Sequence, residues 1–162
     1  MRMKSIGVIH TPFTRTEGMP IQPAGAAGVR GTVEVFPDFR PGLKDLDGFS
    51  HVILLYQFHR SRGFKLRVVP FMDTKLRGLF STRAPHRPNP IGLSVVRLDR
   101  IRNGILHVRD VDILDGTPLL DIKPFVPEFD APPGCRTGWL RRARKTVGKR
   151  RADNRFARGG GR

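Results

Sequence analysis

Cysteine is nearly absent from this chain: Cys135 is its only one. An internal disulfide framework is thereby excluded, as is any multi-cysteine zinc site, and a reducing, cytoplasmic compartment is the natural setting. Long apolar runs are missing too. The longest aliphatic stretch, Val52-Ile53-Leu54-Leu55, falls far short of the ~20 residues that cross a bilayer. The N-terminal Met1-Arg2-Met3-Lys4-Ser5 carries no apolar signal block, so no membrane association is expected. Familiar cofactor signatures are also lacking. Gly25, Gly28 and Gly31 do not spell G-x-G-x-x-G or open a helix, no Walker loop occurs, and H-E-x-x-H is absent. His51, His59 and His86 show no metal-ligand spacing, so no metal is expected. Acidic residues are the last shortage: 14 Asp and Glu face 30 Lys and Arg, a formal charge of +16. Such an imbalance asks for a polyanionic partner, with nucleic acid the default.

That surplus is uneven. Residues 136–162 hold eleven basic side chains and one acid, Asp153. The stretch contains Arg141-Arg142-Ala143-Arg144-Lys145 and Lys149-Arg150-Arg151, and ends Gly159-Gly160-Gly161-Arg162, with too few apolar groups to offset backbone ordering. Two units are therefore expected: a domain over residues 1–140, long enough to enclose a core, and a basic arm over 141–162 that is disordered when unbound. The arm either binds RNA by counterion release or serves only solubility.

The body reads as strands. Ser5–His10 is a short one stopped by Thr11-Pro12, and Gly31–Phe36 alternates Thr32 and Glu34 against Val33 and Val35. His51–Phe58 is apolar on both faces, which predicts a central strand. Leu66–Val69 and Gly78–Ser81 are further short strands, and Pro41–Leu46 fits one helical turn. Ile91–Asp99 and Ile105–Ile113 flank Asn103-Gly104, a pair that tolerates the positive φ of a two-residue hairpin turn. Apolar residues change face between Val108 and Val111, predicting a β-bulge near Arg109–Asp110. Many short strands and almost no helical periodicity predict an all-β fold, a closed or nearly closed barrel of mostly antiparallel strands with few short helices.

Two stretches carry chemistry. In Phe80-Ser81-Thr82-Arg83-Ala84-Pro85-His86-Arg87-Pro88-Asn89-Pro90-Ile91-Gly92, three prolines stiffen a loop that displays Arg83, His86, Arg87 and Asn89. Pre-organised guanidinium groups suit a carboxylate or phosphate; the plainer alternative is a rigid basic connector. In Val111-Asp112-Ile113-Leu114-Asp115-Gly116-Thr117-Pro118-Leu119-Leu120-Asp121-Ile122-Lys123, a turn separates two strands. Asp112, Asp115 and Asp121 lie among apolar residues, where a lone carboxylate is costly. They either accept hydrogen bonds from a ligand or serve turns and an ion pair with Lys123. His51 and His59 bracket the apolar strand. They read as core residues, or, for His59-Arg60 at the strand end, as part of a site. Cys135 lacks a nearby base and reads as incidental.

These blocks, together with Ile6-Gly7-Val8-Ile9, Thr11-Pro12-Phe13 and Leu46-Asp47-Gly48-Phe49-Ser50-His51, resemble the TsaA-like (TrmO) family in consistent order over residues 4–130. The resemblance implies an S-adenosylmethionine-dependent tRNA methyltransferase on a β-barrel, working as a homodimer. Its reaction methylates the exocyclic amine of threonylcarbamoyl-adenosine beside the anticodon. Carried over position by position, it implies cofactor contacts at Gln22, Pro23 and Ala24, at His59 and Arg60, at Arg83 and Leu93, and at Asp112, Ile113, Leu114 and Asp115. Arg87 and Asn89 of the proline block, with Arg141, Arg142, Arg144 and Lys145 of the arm, are expected on the RNA side. Relatives typically have Gly directly after the first-loop proline, where this chain has Ala24, and larger bacterial ones carry a folded domain where the basic arm stands. Two other readings fit the residues: a non-enzymatic RNA-binding barrel, and an S-adenosylmethionine-dependent enzyme acting on a small anionic substrate.

Overall fold

The computed structural model describes residues 3–143 together with Ala152 and Asp153. Among the described residues eight strands form: β1 (Gly7–His10), β2 (Arg30–Val35), β3 (His51–Gln57), β4 (Arg67–Val68), β5 (Arg77–Gly78), β6 (Ile91–Arg102), β7 (Ile105–Arg109) and β8 (Thr117–Pro124). Six of them close an antiparallel barrel in the order β1-β2-β7-β6-β3-β8, while β4 and β5 make a separate two-stranded ribbon. The period-2 pattern explains the core. Ile9, Val33, Val35, Val52, Leu54, Val96, Leu106, Val108 and Leu119 point inward and are almost fully buried.

β3 sits between β6 and β8. Its apolar residues are split by the pleat: Val52, Leu54 and Tyr56 are buried, and Ile53 and Leu55 are half-buried on the outer face. The turn between β6 and β7 has positive φ at both Asn103 (52°) and Gly104 (78°), as a two-residue hairpin turn requires.

Three local expectations are corrected. β7 stops at Arg109 rather than Ile113, because Asp110 takes a left-handed φ of 63° and its carboxylate accepts the Gly28 N–H at 2.7 Å. That turn produces the change of face; the ladder irregularity lies on β6, between Leu98 and Arg100. The strand expected over Gly78–Ser81 is present only at Gly78, the end of β5, since Leu79–Ser81 coils into a 3₁₀ turn closed by the Thr82 N–H on the Leu79 carbonyl. The turn expected at Pro41–Leu46 is two 3₁₀ segments, Pro37–Leu43 and Leu46–Gly48, separated where Asp45 takes a left-handed φ of 64°.

Among the described residues two single-turn helices follow the barrel, α1 (Pro127–Asp130) and α2 (Leu140–Ala143). α2 crosses the boundary expected at 140/141. Further on, the Ala152 N–H bonds the Met19 carbonyl and the Ala152 carbonyl accepts the Gly18 N–H. The rest of the expected arm, with Arg144 and Lys145, lies outside the described residues.

Strand direction determines where the site forms. The long connections β1–β2 and β3–β6, with the shorter β7–β8 link, all leave the barrel at one end, where His10, Gln57, Arg109 and the starts of β2, β6 and β8 meet.

Candidate active site

At that end the connections enclose a cavity of about 950 Å³. Its floor is the barrel interior. Tyr56 and Ser94 reach it from the inner faces of β3 and β6, and the segment after Asp110 brings Asp112 against them. Ser94 Oγ donates to Asp112 Oδ1 at 2.6 Å, and Tyr56 Oη lies 3.0 Å from Ser94 Oγ. An ionised carboxylate only accepts, so the serine proton points at Asp112 and the tyrosine hydroxyl donates to the serine. Burial pushes the Asp112 carboxyl up to about 6, against the opposing pull of the Ser94 bond and the nearby Arg83. Burial also raises the Tyr56 phenol, with Asp112 adding to the effect. The floor is thus a neutral phenol, a hydroxyl and a carboxylate that is mostly ionised at neutral pH.

Gly92 makes this arrangement possible. It pairs with Tyr56 across β3 and β6, and a Cβ there would run into the Tyr56 ring. The ring crosses the space that a side chain at 92 would fill.

The proline-rich loop forms one wall. Its rigidity comes from hydrogen bonds as well as from proline. Thr82 Oγ1 donates to the Leu79 carbonyl at 2.8 Å, Ser61 Oγ to the Pro85 carbonyl at 3.1 Å, and Trp139 Nε1 to the Ser81 carbonyl at 2.9 Å. Arg87 braces the loop from within, donating to the Thr82 carbonyl at 3.0 Å and lying 5.7 Å from the Phe80 ring centroid. Arg83 differs: it is exposed at the cavity, and its guanidinium donates to Gln22 Oε1 at 3.2 Å, linking the proline loop to the first loop.

His59 and Arg60, just past the end of β3, also line the cavity. Thr117 Oγ1 donates to the Leu114 carbonyl at 2.6 Å, which leaves His59 Nδ1–H as the donor toward Thr117 at 3.3 Å. Burial and then the Arg60 charge hold the His59 imidazole below its ordinary value.

Of the residues expected from the sequence, Gln22, His59, Arg60, Arg83, Arg87, Leu93, Asp112, Ile113 and Leu114 all line this one cavity. Pro23 and Ala24 lie in the adjoining 3₁₀ turn Pro23–Gly25. Asp115 faces elsewhere, accepting the Thr11 N–H at 3.0 Å and lying 3.7 Å from His10. Asn89 is exposed beside the loop, and Asp121 pairs with Lys123 at 2.8 Å on the barrel's outside. Arg141 and Arg142 fall in α2. Tyr56, Ser94 and Thr117 were not anticipated. Ser94 left a trace in the sequence, as the polar residue at an inward position of a strand whose next inward residues are Val96 and Leu98. Among the described residues no three His, Cys, Asp or Glu side chains gather as a metal site.

Residues 8–131 match the model of the tRNA-methyltransferase O N-terminal domain. The chain belongs to this TrmO family. A "Probable S-adenosyl-L-methionine-binding protein" of Pyrococcus abyssi is 55% identical over 153 residues, 94% of this chain and 83% of that protein. The "tRNA (adenine(37)-N6)-methyltransferase" of Mus musculus is 37% identical over 134 residues, 78% of this chain but only 31% of the mouse protein. A crystal structure of TrmO from Pseudomonas aeruginosa superposes with a TM-score of 0.72 at 41% identity, covering 86% of this chain and 62% of the other. This TrmO-family chain thus spans most of its archaeal relative and under a third of the mouse one.

Proposed function

We propose that this chain is an S-adenosylmethionine-dependent tRNA methyltransferase acting on the N6 amine of the adenine beside the anticodon, in the cytoplasm, with threonylcarbamoyl-adenosine as the nucleoside modified. The observation that carries the reading is the pairing, in one cavity, of a buried carboxylate floor at Asp112 with the exposed guanidinium of Arg83.

The cavity's donor set fits that cofactor. S-adenosylmethionine presents an ammonium, a carboxylate, hydroxyls and an adenine amine along an otherwise apolar body. When bound, it supplies a methyl group on a positively charged sulfur. Asp112, its oxygen fixed by Ser94, offers an acceptor to a cationic or amine group. Arg83 offers two parallel donors to a carboxylate, whether the cofactor's or the threonylcarbamoyl group's. Ile113 and Leu114 present apolar surface beside these groups. The braced proline loop holds Arg83 in place before a ligand arrives, so less ordering remains for binding, and the rate depends on how well the amine is aligned.

A homodimer belongs to the same reading. Ile91 and Leu93 are 38% and 43% exposed on the outer face of β6, beside the half-buried Ile53 and Leu55 of β3. That apolar strip at the cavity mouth suits a second copy of the chain.

The test is titration calorimetry with S-adenosylmethionine, paired with single-turnover methylation of tRNA. Arg83→Ala is expected to weaken cofactor binding tenfold or more and to abolish methyl transfer while leaving the melting temperature unchanged. Full methylation by this variant would remove Arg83 from the reaction. Absence of any heat with the intact chain would favour a non-enzymatic RNA-binding barrel. Mass spectrometry of the digested tRNA identifies the nucleoside modified. Removing residues 141–162 is expected to weaken tRNA binding and flatten its salt dependence; an unaltered slope would assign the arm to solubility.

A further inference from the structure

The outer side of the barrel carries a cationic field that the cavity does not use. Along the outward row of β6, residues Ile91, Leu93 and Val95 give way to Arg97, Arg100 and Arg102. The pairing registers set these beside basic residues on the neighbouring strands: Arg97 opposite Arg109, Arg100 opposite His107, and Arg109 in turn opposite Arg30. Like charges directly opposite one another destabilise a sheet, so this arrangement has a cost in the isolated chain. Among the described residues Asp99 is the acid paired inside the field, and Asp110, next to Arg109, adds a second negative charge at its edge. Asp99, at the β6 irregularity, accepts from Arg109 Nε at 2.6 Å and lies 3.6 Å from Arg97 Nε, and these arginines with Arg30 hold its carboxyl below the ordinary range. Glu34 is exposed at the margin, 3.6 Å from His10. Arg100 and Arg102 are exposed, and among the described residues neither pairs with a carboxylate.

We propose that this face, centred on Arg97, Arg100 and Arg102, docks the phosphodiester backbone of the RNA whose base enters the cavity. The inference rests on tRNA being the substrate, as proposed above. Charge decides the occupant. A second copy would set arginine against arginine, and the basic residues 141–162 carry the same sign as the field. Continuity with the site supports the assignment. The strand that lines the cavity at Ile91 and Leu93 reaches Arg102 nine residues beyond Leu93, roughly 30 Å away, so the arginines lie past the apolar strip assigned to a second copy. An RNA held by one base at the barrel's end therefore finds cations down the barrel's side.

The experiment compares the intact chain with Arg100→Glu/Arg102→Glu, and with the milder Arg100→Gln/Arg102→Gln should the reversal disturb folding. tRNA affinity is measured between about 50 and 200 mM salt, alongside S-adenosylmethionine titration and the melting temperature. Loss of two phosphate contacts is expected to lower tRNA affinity at least tenfold and to reduce the logarithmic salt slope by about two. Cofactor affinity stays unchanged, and the melting temperature holds or rises as the like-charge repulsion is relieved. Unchanged tRNA affinity overturns the docking face, as does weaker binding with an unchanged slope or capture of an acidic protein in place of RNA. The two readings fail separately. If the intact chain methylates tRNA and the variants bind it equally well, only the face is wrong. If the intact chain binds the cofactor but no tRNA, the substrate assignment falls first.

Discussion

Replacing Asp112 by Asn should stabilise the protein while impairing it. The amide keeps the shape of the side chain and an acceptor for Ser94, and removes the titrating proton. The Asp112 carboxyl ordinarily titrates near 3.8, and burial in the cavity floor lifts it to about 6. Between those values the folded chain binds more protons than the unfolded one. The group's contribution to stability therefore declines as pH rises through that window, and its full cost is felt above about pH 6. The gap corresponds to about 3 kcal/mol. Asp112→Asn should thus be about 2–3 kcal/mol more stable than the parent at pH 7.5, or about 5–10 °C in melting temperature for a chain of this size. The advantage should shrink as pH falls and vanish near pH 4. Urea denaturation of both proteins from pH 4 to 8 measures it, because other acid effects cancel in the difference. The same substitution should weaken S-adenosylmethionine binding ten- to a hundredfold, the value of a hydrogen bond to a charged acceptor. A variant no more stable at pH 7.5, or a stability difference that ignores pH, would refute burial as the force acting on this carboxyl.

Two further substitutions probe the supports of the site. Gly92→Ala drives a methyl into the Tyr56 ring and should cost about 2–4 kcal/mol by thermal denaturation, breaking the hydrogen bond between Tyr56 and Ser94; a wild-type melting temperature would show that the ring has room to move. Asp110→Val forces a β-branched residue into a left-handed φ of 63° and removes the acceptor for the Gly28 N–H. A loss of about 2–3 kcal/mol is expected, whereas Asp110→Asn, which tolerates that conformation, should retain most of the stability.

The barrel was legible because its strands obey a strict period. The Thr32/Val33/Glu34/Val35 alternation and the Asn103-Gly104 turn survive intact in β2 and the β6–β7 hairpin. What the sequence concealed was mostly non-local. Nothing near Tyr56 announces that Gly92 lies opposite it, or near Ser94 that Asp112 will arrive from beyond β7; both depend on register between strands about 20–40 residues apart. The three aspartates look alike in the sequence. They part company by neighbours: Asp112 meets Ser94 in the cavity, Asp115 caps the Thr11 N–H, and Asp121 finds Lys123 two residues away on the same face of β8. The left-handed turn at Asp110 was visible only as a change of face, which a bulge explains equally well.

Closure of the six strands has a consequence for how such a protein can change. A ring of paired strands leaves no open ladder for its end loops to complete. Loops at the cavity end can lengthen, shorten or exchange residues without unzipping the wall beneath them. Specificity is free to drift there while the scaffold stays put, and the few residues that tie the two together, Gly92 and Ser94 foremost, are where such drift should stall.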